Sequence, residues 1–164
     1  MSETPTQNSM LSNIPYGSIA IGHTVSVEKT VSQREIILFA ALSGDLNPIH
    51  LDRHYAASTD FGQPIAHGML CGAFISATIA THLPGPGSIY RGQTIKFTQP
   101  VFACDTLTIT LTVINKKDRL KLVTLACVVS NQDNNVVAKG EASVIASEEK
   151  VDIAASELPT ITIN

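Results

Sequence analysis

The stretch that decides the fold is AHGMLCGAFISATIATHLPGPG, residues 66–87 of a 164-residue chain. Its apolar residues are spread around the helix that the spacing predicts over 66–83, and a helix apolar on nearly every side is buried. Its short length and interspersed polar residues argue against a membrane span. Pro84 and the Gly-Pro-Gly that follows end the helix. We therefore expect one buried helix at the centre of the molecule.

The chain on either side of this helix predicts strands. The ranges 88–97, 106–115, 120–131 and 136–145 are rich in Ile, Val, Leu and Thr, and turn residues lie at Asp118 and over 131–135. Residues 23–30 alternate roughly and predict a further strand. Short connections imply a curved antiparallel sheet, and a long helix inserted after the first strand makes an α+β fold. Little room is left inside one subunit, so the expected pocket lies at the edge of the helix.

Composition limits the class of protein. With 44% hydrophobic and 15% charged residues, the chain can bury a core and cover further surface with a second subunit. A net charge of −3 without a basic run argues against nucleic-acid binding. The three cysteines are odd in number and widely spaced, which favours reduced thiols. No secretory signal is evident, so we expect a cytoplasmic protein that does not bind a membrane.

Three regions are predicted along the chain. Residues 1–17 are interpreted as a flexible N-terminal lead, residues 18–146 as the folded domain, and residues 147–164 as a polar C-terminal tail.

A second informative stretch is SGDLNPIH, residues 43–50. It follows a short helix that a capping box at Ser32 and Glu35 begins and that Gly44 ends. The irregular stretch from 44 to about 64 is long for a compact domain, which indicates function. A bent segment of this kind can direct Asp45 and His50 at one water molecule as an acid/base pair. The alternative is a turn capped by Asp or Asn, beside a histidine that only packs.

The start of the buried helix offers a hydrogen-bond donor. A backbone N–H near Gly68 has no partner within the helix and can bind a carbonyl oxygen as an oxyanion hole does. Gly68, Gly72 and Ser76 form a stripe of small residues, which the sheet, a partner helix or the narrow end of a substrate can approach closely. His67 beside them is interpreted as structural. His50 and His54 are spaced like metal ligands, but with no third ligand we expect no metal site.

Several of these segments resemble one known family. Residues 39–50 (FAALSGDLNPIH) resemble the hydratase 2 motif of MaoC-like (R)-specific enoyl-CoA hydratases. The likeness continues through 64–70 (PIAHGML), 87–90 (GSIY), Gln93, Phe97 and Pro100-Val101, and spans roughly residues 20–146.

The resemblance implies a hot-dog fold, normally dimeric, in which an overhanging segment carries the active site. It also implies reversible hydration of trans-2-enoyl-CoA to (3R)-3-hydroxyacyl-CoA without a metal or redox cofactor. By the same resemblance, Asp45 and His50 are the catalytic pair and the Gly68 N–H binds the thioester carbonyl. Ser76 supports the aspartate, and Asn47 shapes the loop.

Three other functions fit the same fold. One is the dehydration of (3R)-hydroxyacyl groups on an acyl-carrier protein, which shares the phosphopantetheine arm with coenzyme A. Another is a hot-dog acyl-CoA thioesterase, against which the pairing of His50 with Asp45 argues. The last is an acyl-thioester-binding protein without catalysis, which would not need the pair.

Overall fold

One five-stranded antiparallel sheet and one long helix form most of the molecule. The computed structural model describes residues 10–163. The sheet contains β2 (Thr24–Thr30), β3 (Ile89–Phe97), β4 (Thr106–Lys117), β5 (Leu122–Ser130) and β6 (Val136–Ile145), in the order β2-β4-β5-β6-β3. The long helix, α4 (Gly68–Thr81), packs against the sheet. The predicted α+β class is confirmed.

The core lies between α4 and one face of the sheet. Alternate residues of β4 and β5 are buried because successive side chains of a strand point to opposite faces. The register places Ile109 opposite Val129 and Leu111 opposite Cys127. Helix α4 adds Leu70, Cys71, Ile75 and Ile79.

The strand β3 lies at an edge of the sheet, although β4 follows it in the chain. It pairs with β6 in antiparallel register, with Ile95 opposite Gly140. Within residues 10–163 its other edge has no partner strand. Ile89 and Phe97 on this strand are 58% and 45% exposed, on the same strand as the exposed Arg91 and Lys96.

The helix α4 is buried on one side only. The sheet covers the side that carries Ile75 and Ile79, whereas a strip on the other side is exposed. We expected α4 to be buried on nearly every side, but it is buried only on the side that faces the sheet. One sheet can cover only one side of a helix. The exposed strip consists of Met69, Ala73, Ser76, Ala77 and Ala80.

The two ends of the described chain pair with each other. Strand β1 (Met10–Ser12) lies antiparallel to β7 (Asp152–Ala154), with Leu11 opposite Ile153. The buried Asn13 extends this contact, because its Oδ1 accepts a hydrogen bond from the Val151 N–H at 2.8 Å. Three-residue strands carry no readable periodicity, so the sequence did not predict them. The lead and tail boundaries stay a prediction, and residues 1–9 and 164 lie outside the described residues.

The first long helix, α1 (Gln33–Ser43), positions the segment that follows it. Its predicted capping box is confirmed: the Ser32 N–H donates to Glu35 Oε2 at 2.8 Å, and the Glu35 N–H donates to Ser32 Oγ at 3.2 Å. Gly44 ends α1 in the left-handed region with φ of 74°. Two short helices follow, α2 (Pro48–Leu51) and α3 (Arg53–Ala57).

The helices of the described chain are short. Among residues 10–163 no helix combines the length and the apolar character needed to cross a bilayer, and α4 has 14 residues.

Candidate active site

Three side chains meet where the segment after α1 passes the start of α4. Asp45, His50 and His67 each offer a carboxylate oxygen or a ring nitrogen, and these atoms lie within 4.8 Å of one another. The structure thus brings together the Asp45 and His50 that the sequence paired. It adds His67, which the sequence analysis interpreted as structural.

Asp45 is held in a turn by its own side chain. The Asn47 N–H donates to Asp45 Oδ1 at 3.1 Å, and the Ile49 N–H donates to Asn47 Oδ1 at 3.3 Å. Asn47 is thereby the N-cap of α2, with Pro48 as the first helical residue. The alternative of a turn capped by Asp or Asn therefore describes the backbone correctly. This turn uses only Oδ1 of Asp45, so Oδ2 can still face His50 and His67. The Asp45 side chain is 49% exposed.

His50 is buried, and the protein fixes its tautomer. Its Nδ1 lies 2.7 Å from the carbonyl oxygen of Ile65. A carbonyl oxygen only accepts, so Nδ1 carries the proton and donates it. Within the described chain Nε2 has no hydrogen-bond partner, so Nε2 is the atom through which His50 can take up or release a proton.

His67 contacts both members of the pair. Its Nε2 lies 3.2 Å from the backbone oxygen of Asp45 and 4.0 Å from Asp45 Oδ2. Its ring stacks on that of His50, with centroids 3.8 Å apart and planes 28° apart. The side chain is buried, and its Nδ1 has no hydrogen-bond partner among the described residues. The sequence feature that could have drawn attention to His67 is its position directly before Gly68, within the segment 64–70 that is part of the family resemblance.

Gly68 is the first residue of α4, so its N–H has no acceptor within the helix. A Cβ at this position would lie 3.0 Å from the ring of Phe97, whose side chain passes directly over the glycine. A Cβ at Gly72 would lie 4.0 Å from Ile95 Cδ1. Side chains of β3 therefore approach the stripe of small residues at its first two positions.

Two cavities meet at this glycine. The first, of about 360 Å³, is mainly apolar and includes His50 in its wall. The second, of about 450 Å³, includes Asp45 in its wall. His67, Gly68 and Phe97 belong to both walls. Gly68 therefore lies in the wall of both cavities, with His50 in the wall of one and Asp45 in the wall of the other.

Ser76 lies away from this cluster. It is exposed on α4, and eight helical residues after Gly68 correspond to a rise of about 12 Å. Its side chain lines neither of the two cavities. Within the described chain the structure gives it no contact with Asp45, and its supporting role stays a prediction.

Cys71 lies in the wall of the first cavity, and burial raises the pKa of its thiol to about 11. The thiolate is the nucleophilic form, so this cysteine is unreactive near neutral pH. All three cysteines are free thiols. The carboxylate of Asp45 and the imidazoles of His50 and His67 are thus the remaining candidates for the chemistry of the site.

The same three side chains are a candidate set of metal ligands. Two of the four imidazole nitrogens donate to backbone carbonyls, at 2.7 Å for His50 and 3.2 Å for His67. A nitrogen that donates a proton cannot bind a metal ion at the same time. The hydrogen bonds leave His50 Nε2 and His67 Nδ1 open to a proton or to a metal ion, and a histidine that binds a metal commonly donates its second N–H to a carbonyl in the same way. The absence of a metal from the reaction stays a prediction.

Comparison with known proteins places this site in a family. The model of the MaoC-like domain matches residues 19–137. The chain belongs to the MaoC-like domain family. The cluster and the Gly68 N–H lie inside the matched residues.

Individual relatives of this MaoC-like chain are hydratases. An (R)-specific enoyl-CoA hydratase of Rhodospirillum rubrum is 46% identical over 132 residues, which are 79% of this chain and 90% of the relative. An (R)-specific enoyl-CoA hydratase of Aeromonas caviae is 39% identical over 127 residues, 77% of this chain and 95% of the relative.

Solved structures confirm the hot-dog prediction. The R-hydratase PhaJ1 of Pseudomonas aeruginosa, in its unliganded form, superposes with a TM-score of 0.91 at 48% identity. The superposition covers 95% of this chain and all of that chain. The fold expected from the buried helix and the antiparallel strands is thus that of a known hydratase.

Proposed function

We propose that this MaoC-like protein is an (R)-specific enoyl-CoA hydratase that adds water reversibly to trans-2-enoyl-CoA and forms (3R)-3-hydroxyacyl-CoA. One observation carries the proposal: polar atoms of Asp45 and His50 lie within 4.8 Å of each other, and each residue lines a cavity with Gly68, whose N–H has no acceptor within α4. Relatives named as (R)-specific enoyl-CoA hydratases support the substrate class.

The thioester is placed at the start of α4. Its carbonyl oxygen accepts a hydrogen bond from the Gly68 N–H, where the helix also carries partial positive charge. When water attacks C3, the electrons of the C2–C3 double bond move towards the carbonyl and give it enolate character. The N–H stabilises this charge, and one such donor typically contributes about 10²–10³-fold to the rate.

The acid/base pair moves two protons. Asp45 accepts a proton from the water as its oxygen bonds to C3, and protonated His50 delivers a proton from Nε2 to C2. A proton then passes from Asp45 to His50 and restores the starting state. Asn47 supports the reaction by holding Asp45 in its turn.

The reaction needs no cofactor beyond the coenzyme A of the substrate. Water supplies both the hydroxyl group at C3 and the proton at C2, so no electrons enter or leave. No metal is required to generate hydroxide, because Asp45 takes the proton directly.

The active form proposed here is a homodimer. The Asp45 side chain is half exposed in one chain, although an acid/base site works best when bulk water is excluded. The apolar strip of α4 and the open edge of β3 lie next to this opening, since Met69 and Phe97 line the same cavity. A second copy of the chain would cover both surfaces and close the site.

The cytoplasm is the proposed location. The three free cysteines, two of them buried, suit a reducing compartment.

Hydration of crotonyl-CoA tests the proposed activity. We expect loss of the enoyl-thioester absorbance without release of free thiol, and a product that an (R)-specific dehydrogenase oxidises. Release of thiol in step with the loss of absorbance would identify a thioesterase and contradict the proposal. Faster turnover of the matched acyl-carrier-protein substrate would identify the dehydratase alternative.

A further inference from the structure

His67 is a buried residue to which the proposed mechanism assigns no step. It is 3% exposed, and its only hydrogen bond within the described chain runs from Nε2 to the backbone oxygen of Asp45. Although it is the N-cap residue of α4, its side chain makes no capping hydrogen bond. The helix therefore does not explain why a histidine lies here.

Stability does not explain this histidine either. Its Nδ1 is buried without a partner among the described residues, and a buried polar atom without a hydrogen bond destabilises the fold. A phenylalanine would keep the ring against Phe39, whose centroid is 5.1 Å away, and would bury no unpaired nitrogen. A buried unpaired group of this kind requires a reason other than packing.

The contacts of His67 supply that reason. Its Nε2–H donates to the carbonyl of Asp45, which limits the turn that carries the carboxylate. Its ring lies flat against His50 at 3.8 Å, which limits the rotation of that imidazole. One side chain thus links the two groups that must share a water molecule, one through a hydrogen bond and the other through ring stacking.

We infer that His67 is the positioning residue of the site and sets the separation and orientation of Asp45 and His50. The inference rests on the proposed hydratase function. A displacement of about 1 Å in a reacting group can lower a rate by about 10²-fold. Replacement of His67 by another aromatic residue should therefore lower kcat and leave KM nearly unchanged, because a ring stays in the two cavity walls that His67 lines and the Gly68 N–H stays in place.

Two substitutions separate the contacts of His67. His67→Phe keeps a stacking ring and removes the donor to Asp45, whereas His67→Gln keeps a donor at a similar reach and removes the ring. His54→Phe is the control, since His54 is exposed on α3 and lies outside the cluster. Each full-length variant is assayed for kcat, KM and Tm with crotonyl-CoA, beside Asp45→Asn.

We expect His67→Phe to lower kcat by about 10–10²-fold, with KM within about threefold and Tm equal to or above that of the unchanged protein. His67→Gln should recover part of kcat, and His54→Phe should match the unchanged protein. The inference is overturned if His67→Phe keeps kcat within twofold. It is also overturned if kcat and Tm fall together in both His67 variants, since that identifies a purely structural residue. An unchanged protein without hydratase activity, or an active Asp45→Asn, would refute the proposed function instead.

Discussion

At the residue scale, the side chain of Asp45 holds the backbone of its own turn and, in the proposed mechanism, also acts on water. Asp45 accepts the Asn47 N–H through Oδ1, and Asn47 in turn caps α2. The sequence left open whether these residues shape a turn or carry out a reaction. The structure shows the turn, and the turn is what brings Asp45 within reach of His50.

Gly68 gives the first prediction at this scale. A methyl group here would lie 3.0 Å from the Phe97 ring, at the start of α4 where the proposed mechanism places the thioester carbonyl. We expect Gly68→Ala to lower kcat/KM for crotonyl-CoA by about 10²-fold, with the fold retained.

Gly72→Ala is the matched control for Gly68→Ala. Its methyl group meets mainly the mobile end of Met69, with Cε at 3.2 Å, one turn further along the same helix. Activity should stay within about threefold of the unchanged protein. Equal activity of the two alanine variants would show that the space above Gly68 is not the thioester site.

At the element scale, the edge strand β3 depends on a close approach to β6. A Cβ at Gly140 would lie 1.9 Å from the carbonyl oxygen of Thr94, so the two backbones meet where only glycine fits. We expect Gly140→Ala to displace β3 and to lower the free energy of unfolding by at least about 1–3 kcal/mol, the range typical of overpacking. Chemical denaturation measures this difference.

Gly92→Ala on β3 is the control for this substitution. A Cβ at Gly92 has no atom within 4 Å among the described residues, and the change should cost well under 1 kcal/mol. If the Gly140→Ala protein is as stable as the Gly92→Ala protein, the backbones of β3 and β6 do not approach each other closely at Gly140.

Elements with a strong local signal were the ones that the sequence predicted well. The capping box at Ser32 and the left-handed Gly44 fixed both ends of α1, and ranges rich in Ile, Val, Leu and Thr predicted β4 and β5. The pairing of β3 with β6 was not predictable, because register between distant strands depends on tertiary contacts. The stacking of His67 was not predictable for a related reason: its partner, His50, lies 17 positions away in the chain.

At the scale of the whole molecule, the exposed strip of α4 and the free edge of β3 give one prediction about assembly. Arginine in place of Ala77, at the centre of the strip, would bring charge into the proposed dimer interface. We expect Ala77→Arg to elute as a monomer with at least about tenfold lower activity, because the opening beside Asp45 then stays in contact with water.

Ala20→Arg is the matched control, since Ala20 is exposed but lies outside α4 and β3. It should remain dimeric and active. Light scattering coupled to size exclusion measures the mass of each variant. A dimeric Ala77→Arg protein with full activity would contradict the proposed interface.

The central claim is that Asp45 and His50 together add water to an enoyl thioester, and two near-isosteric variants test it most directly. Asp45→Asn keeps an oxygen for the Asn47 N–H, and His50→Asn keeps a donor for the Ile65 carbonyl. We predict that each lowers kcat for crotonyl-CoA by at least about 10²-fold while Tm and the mass of the assembly are unchanged. Retention of kcat within a few-fold in either folded variant would contradict the account.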